Sequence, residues 1–296
     1  MERVAALPSP GLWRRGAHEV SLARLYLLRA VALFVVIDGF WSKLPDVIYP
    51  DLVSPSRGII PSFLAALWVS AFLAFRYPLR MMPLFLFELI WKTLWLIDYG
   101  APQWLAGPAS PRLARDLFEI GFFPLPIALI LPWGFIWRRY IRAPAERWHG
   151  PTGDASAFPD PAETGAGQIS QTRFNLVCGA FILSAIPGCI LVLPGIIQPD
   201  PAARGMLQST VAGLWVTGLI GLLHPVRMVP MLLFAFAWTM LWLADYGLTG
   251  ALSGNAGPQF QSDLLAIGGA AILVTLAMPW GHVWRCYFRA PGDRWR

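Results

Sequence analysis

Eight apolar stretches run through the sequence, at 22–41, 59–76, 79–97, 117–137, 174–197, 207–223, 226–244 and 264–284. Each approaches the ~20 residues that carry an α-helix across ~30 Å of hydrocarbon. The breaks hold turn-forming residues: Pro45 and Pro50 after the first stretch, Tyr77-Pro78 and His224-Pro225 inside two close pairs, and Gly/Pro-rich runs at 100–111 and 247–258. This pattern predicts an all-α integral membrane protein with eight transmembrane helices.

The pattern is also written twice. Residues 62–148 align without a gap to residues 209–295 at an offset of 147, with 38 of 87 pairs identical. Four spans per copy is an even number, so the copies are expected to be two tandem parallel, same-topology four-helix repeats related by an axis along the membrane normal. The expected organisation is a cytoplasmic N-terminal segment (1–21), membrane repeat 1 (22–142), a cytoplasmic linker (143–172) and membrane repeat 2 (173–296). The linker is rich in Pro, Gly, Ala and Asp and cannot bury enough apolar surface to fold by itself.

Composition agrees with the membrane class. The chain is 56% hydrophobic and 14% charged, with a mean hydropathy of +0.53, too apolar for an ordinary soluble domain. Placing the N-terminus in the cytoplasm leaves five basic residues outside (Lys43, Arg57, Arg112, Arg115, Arg204). The other sixteen lie inside, Arg29 and Lys92 in the membrane aside. This positive-inside bias predicts a multi-pass inner-membrane protein with both termini cytoplasmic. It also accounts for the net charge of +6, so the charge is no argument for nucleic acid. The three cysteines, Cys178, Cys189 and Cys286, show no metal-ligand spacing. No hydrolase, P-loop, dinucleotide or zinc motif is present, and the expectation is a non-enzymatic protein.

A duplication supplies an internal comparison, because what both copies keep is expected to be scaffold. Both keep Pro78-Leu-Arg80-Met-Met-Pro83, as Pro225-Val-Arg227-Met-Val-Pro230, with the second Pro at a helix start where a missing N–H costs little. Both keep a stripe, Trp91, Trp95 and Asp98 against Trp238, Trp242 and Asp245, whose i, i+4, i+7 spacing places it on one helical face. Packing between helices is the plain reading of the stripe; an aromatic wall for a quinone, lipid tail or pigment uses the same residues. Both copies end in interfacial anchors, Trp137, Arg138 and Arg142 against Trp284, Arg285 and Arg289. Trp favours the headgroup layer and Arg the anionic lipid surface.

What one copy alone carries is a candidate for function. Arg29, Asp38, Glu88, Lys92 and Glu119 fall in membrane stretches of repeat 1, opposite Cys178, Pro187, Ala235, Thr239 and Ala266. An ionisable group inside a bilayer is costly and reads as functional by default. By helical rise Arg29 lies ~10 Å from the cytoplasmic edge, Glu88 ~13 Å, Lys92 ~20 Å and Asp38 ~24 Å. Arg29, Glu88 and Lys92 are therefore expected to form the core of the cluster, with Asp38 nearer the outer interface and Glu119 peripheral; helix-packing ion pairs are the plain alternative. Repeat 2 alone carries His224 and His282, types able to ligate haem or a chlorophyll-type pigment as neutral imidazoles.

Three functions follow from these residues. The first is an accessory or structural subunit of a larger membrane complex, held in lipid beside other membrane subunits. The second is a small-solute or proton transporter using the repeat-1 cluster. The third is a haem- or pigment-binding redox or light-harvesting component.

Overall fold

A computed structural model describes residues 20–48, 58–107, 110–146, 169–191, 205–252 and 257–293. Every regular element among them is helical: α1 (Leu22–Ser42), α2 (Ile59–Arg76), α3 (Met82–Trp95), α4 (Leu113–Ile130), α5 (Trp133–Ile141), α6 (Gln171–Leu191), α7 (Met206–Leu223), α8 (Val229–Leu252), α9 (Pro258–Ala277) and α10 (Trp280–Val283). Four of them, α2, α7, α8 and α9, are long and apolar enough to cross a membrane, and a fifth span results if α4 and α5 count as one. The protein is thus a multi-pass helical membrane protein. α1 has the length but carries Arg24, Arg29 and Asp38.

Local chemistry sets the helix ends. Ser21 caps α1 by accepting from the Arg24 amide, and Ser110 does the same for Leu113 ahead of α4. Pro83 and Pro230 sit in the first turns of α3 and α8, as expected. The observed breaks correct several expected boundaries. α3 starts at Met82 rather than 79 and continues through a π turn, Leu96–Gly100, into Ala101–Leu105. The stretch 117–137 is not one rod: Pro132 removes an amide from the ladder, and α4 and α5 meet at 78°. The same Pro-Trp-Gly sequence separates α9 from α10. Of the expected stretch 174–197, residues 192–197 lie outside the described residues, as does most of the expected linker.

Two π turns have counterparts 147 residues on, Leu96–Gly100 with Leu243–Gly247 and Trp137–Ile141 with Trp284–Arg289, whereas a further one, Leu117–Gly121, falls opposite the unbroken α9. A π turn adds a residue to the helical circuit, so the straight-helix face expected for the stripe ends at Trp95 and Trp242. Gly100 and Gly247 receive those rings. A Cβ on Gly100 would lie 2.8 Å from the Trp95 ring, and one on Gly247 3.2 Å from the Trp242 ring. Trp95 and Trp242 are fully buried as a result.

The centre of the molecule is made by four helices crossed between the two parts of the chain. α2 packs on α8, and α3 on α7. Phe63, Phe87 and Phe234 meet there with ring centroids 4.9–5.6 Å apart. α1 lies against α2 and α6 against α7, each tied by one indole: Trp68 donates to the Val36 carbonyl at 2.9 Å, and Trp215 to that of Ala185 at 3.1 Å. α3 and α7 approach so closely that a Cβ on Gly213 would lie 2.6 Å from the Trp91 Cβ and 3.1 Å from its Cα. Gly213→Val should therefore force these helices apart, at about 1–3 kcal/mol, and lower the melting midpoint in detergent. Gly268→Val, where nothing lies within 4 Å, should leave it unchanged; equal midpoints for the two variants would contradict this packing.

Candidate functional site

The expected ion cluster divides between two places. Glu88, Lys92, Asp38 and Glu119 line one cavity of about 440 Å³ among α1, α2, α3 and α4. Within it Lys92 Nζ pairs with Glu88 Oε2 at 3.0 Å, the two side chains being only 13% and 18% exposed. The other Glu88 oxygen accepts from Trp91 Nε1 at 2.8 Å. Lys92 also sits over two rings, 4.6 Å from the centroid of Phe123 and 5.4 Å from that of Trp91. The pair is thus satisfied three ways, which a charged pair so far from water requires.

Asp38 and Glu119 are more exposed than Glu88 and Lys92, and Asp38 accepts from Ser42 Oγ at 2.9 Å. Asp116 and Lys43 complete the charged lining. Four carboxylates therefore face two ammonium groups. Trp68, Phe85 and Phe34 supply much of the apolar wall. Trp68 is seated by Gly39, where a Cβ would lie 2.0 Å from the indole. In the corresponding place of α8, Thr239 returns its hydroxyl to the Ala235 carbonyl at 2.9 Å; a local bond stands where α3 has an ion pair.

Arg29 does not line this cavity. It is 3% exposed and donates to the backbone carbonyl of Asp293, beyond α10. It belongs to a second cluster, a reciprocal clasp. The segment after α5 docks on the α7–α8 turn: Glu146 N donates to Leu223 O at 2.8 Å, Glu146 Oε2 accepts from Val226 N at 2.7 Å, and Glu146 Oε1 lies 3.4 Å from Arg227 Nε. The segment after α10 docks on the α2–α3 turn: Asp293 N donates to Arg76 O at 3.1 Å, and Asp293 Oδ2 accepts from Leu79 N at 3.2 Å. Arg227 reaches the Arg139 carbonyl, and Arg80 that of Cys286. Helix C-termini leave such carbonyls without intrahelical donors, so each arginine satisfies the end of a helix from the other part of the chain. Cys178, which stands where α1 has Arg29, contributes no comparable charge and packs with Phe174 and Val226.

The two histidines serve this framework. His224 is fully buried in the α7–α8 turn, with Nε2 3.1 Å from the Tyr140 carbonyl. A carbonyl only accepts, so Nε2 carries the proton. Burial, then Arg227, lower the pKa of His224 to about 4, leaving it neutral at neutral pH. His282 is buried in α10, with Nδ1 3.7 Å from Cys286 Sγ. Among the described residues no three His, Cys, Asp or Glu side chains converge as a metal site. Trp91 and Trp238 have different tasks despite their matching positions. Trp91 holds Glu88, whereas Trp238 Nε1 donates to Ile59 O at 3.4 Å. Asp98 and Asp245 are part-buried within the two π turns.

The anchors Trp137, Trp284, Arg138, Arg142, Arg285 and Arg289 are all exposed, and the apolar helix surfaces suit contact with lipid. Glu146 and Asp293 were not singled out by sequence reasoning. The available signal was an acidic position kept by both copies inside otherwise basic segments, Arg142-Ala-Pro-Ala-Glu146-Arg147 and Arg289-Ala-Pro-Gly-Asp293-Arg294. No family of known proteins, no curated protein and no solved structure matches the chain.

Burial pushes the Glu146 carboxyl up to about 7, against the lowering effects of the Val226 amide and Arg227. Its folded pKa is raised, so the folded state keeps a proton that the unfolded chain has released. That contribution to stability is complete below about 4.5 and lost as pH rises through about 7. The melting midpoint of wild type minus that of Glu146→Gln should therefore decline across this window and level off above it. A difference independent of pH would contradict the buried clasp.

Proposed function

We propose that this is an eight-span membrane protein of two tandem, same-direction four-helix halves, and that its first half is a small-solute-binding unit of transport type. The observation that carries this reading is the cavity of about 440 Å³ that gathers Asp38, Glu88, Lys92 and Glu119. Its volume falls in the range of small-molecule sites, about 300–1,000 Å³. These four charged groups are ones that the other half replaces with Pro187, Ala235, Thr239 and Ala266, although the Asp116 of the lining is kept there as Asp263. Scaffold alone gives no reason for one half to maintain charges in the membrane that the other does without.

The halves meet through α2, α3, α7 and α8, and the eight spans are the four long apolar helices together with α1, α3, α6 and the bent α4–α5. With the basic residues facing the cytoplasm, both termini and both arms of the clasp lie on that side of an inner membrane. The subunit-of-a-complex reading, favoured first by the sequence, and the haem or pigment reading are distinguished from this one by purification.

Native mass spectrometry of the protein purified in mild detergent should show a small organic adduct on the wild type. The adduct should be lost in the double variant Glu88→Gln, Lys92→Met. Stoichiometric co-purification of other membrane subunits, with no adduct sensitive to these two side chains, would overturn the binding reading in favour of an accessory subunit. A visible absorption band in the purified protein would point to the cofactor reading instead.

A further inference from the structure

We infer that the ligand of the first-half cavity is an organic cation, a bulky ammonium carrying apolar or aromatic substituents. This deepens the reading of the first half as a binding unit and rests on it.

The first argument is charge. Lys92 is already matched by Glu88 at 3.0 Å. The remaining wall then holds Asp38, Asp116 and Glu119 against Lys43 alone. A part-enclosed cavity with an excess of carboxylates is stabilised by an added cation and destabilised by an added anion. The second argument is the aromatic lining. The site already stations an ammonium on aromatic faces, since Lys92 Nζ lies over Phe123 and Trp91. Ring faces attract cations, most strongly where water is excluded. The third argument is shape. The carboxylates come from two helices, α1 and α4, and no three described His, Cys, Asp or Glu side chains converge closely enough for a metal ion. Charges spread round an aromatic chamber fit a large ion with diffuse charge better than a compact one.

Glu88 takes a defined part in this. Its two oxygens are committed to Lys92 and Trp91, so it fixes the aromatic wall, while Asp38 and Glu119 at the more exposed positions receive the ligand's charge. The double variant Asp38→Asn, Glu119→Gln removes that charge without altering side-chain size or the Glu88–Lys92–Trp91 set.

The test uses the full chain in nanodiscs of neutral phosphatidylcholine, with the change in total tryptophan fluorescence, to which Trp68 and Trp91 of the cavity contribute, as the readout. Three probes of similar shape are titrated: benzyltrimethylammonium, its uncharged carbon analogue neopentylbenzene, and the anion benzenesulfonate. Saturable binding of benzyltrimethylammonium alone, weakened about tenfold in Asp38→Asn, Glu119→Gln with an unchanged melting midpoint, is the expected result. Equal binding of neopentylbenzene, insensitive to the double variant, would overturn the cation assignment and leave the binding site standing as an apolar one. Saturable binding of benzenesulfonate instead would overturn the assignment in favour of an anion held by Lys92 or Lys43. No probe binding to a protein that keeps its adduct overturns the cation class alone, whereas loss of both overturns the binding reading as well.

Discussion

A guanidinium withdrawn from water must find acceptors, and a helix ending beside it must find donors. Arg80 and Arg227 solve both problems at once, each donating to a carbonyl at the end of a helix from the other part of the chain. The rest of the arrangement follows from this exchange. For Arg227 to reach Arg139, and Arg80 to reach Cys286, α2 and α3 must lie beside α7 and α8, and that is the contact that forms the aromatic centre. The same constraint explains the helix break at Pro132. α5 leaves α4 at 78°, which carries its end across to the opposite turn. Glu146 and Asp293 then add backbone pairing to the arginine contacts.

With the framework closed in this way, the two parts of the chain are free to differ away from it. In the cavity of the first part, an ion pair, an indole and two aromatic faces hold charges. In the second, a threonine hydroxyl bonded to its own helix occupies the matching place. Trp91 joins the two themes. Its ring fixes Glu88, and its Cβ rests against Gly213 of α7. The charged cavity is therefore built directly onto the contact between the parts, where a shift of α7 is felt by Glu88.

Much of this was legible in the sequence because it depends on local properties. Apolar runs and prolines located the helices, and the comparison of the copies picked out Glu88, Lys92, Asp38 and Glu119 as unusual. Arg29 and Asp38 are nine residues apart and so face opposite ways on a straight helix, and the fold sends one to the clasp and the other to the cavity. Arg29 was assigned to the wrong neighbour because its partner is 264 residues away, and depth along a helix says nothing about which distant segment arrives there. Two further features were hidden for related reasons. π turns leave little trace in apolar periodicity, so the stripe looked longer than it is. The clasp pairs backbone atoms with side chains across the chain, and no spacing within either copy encodes that contact.

The claim that the two parts of the chain hold each other through the clasp is tested most directly by cross-linking. Arg76 and Gly292 are in contact across it, since a Cβ on Gly292 would lie 3.2 Å from the Arg76 side chain and 3.3 Å from its carbonyl oxygen. In a variant with Arg76→Cys, Gly292→Cys and a protease site placed within residues 150–167, mild oxidation followed by cleavage should leave one cross-linked species on a non-reducing gel. That species should separate into two fragments on reduction. Free fragments without reduction, from protein that is folded and oxidised, would contradict the reciprocal clasp.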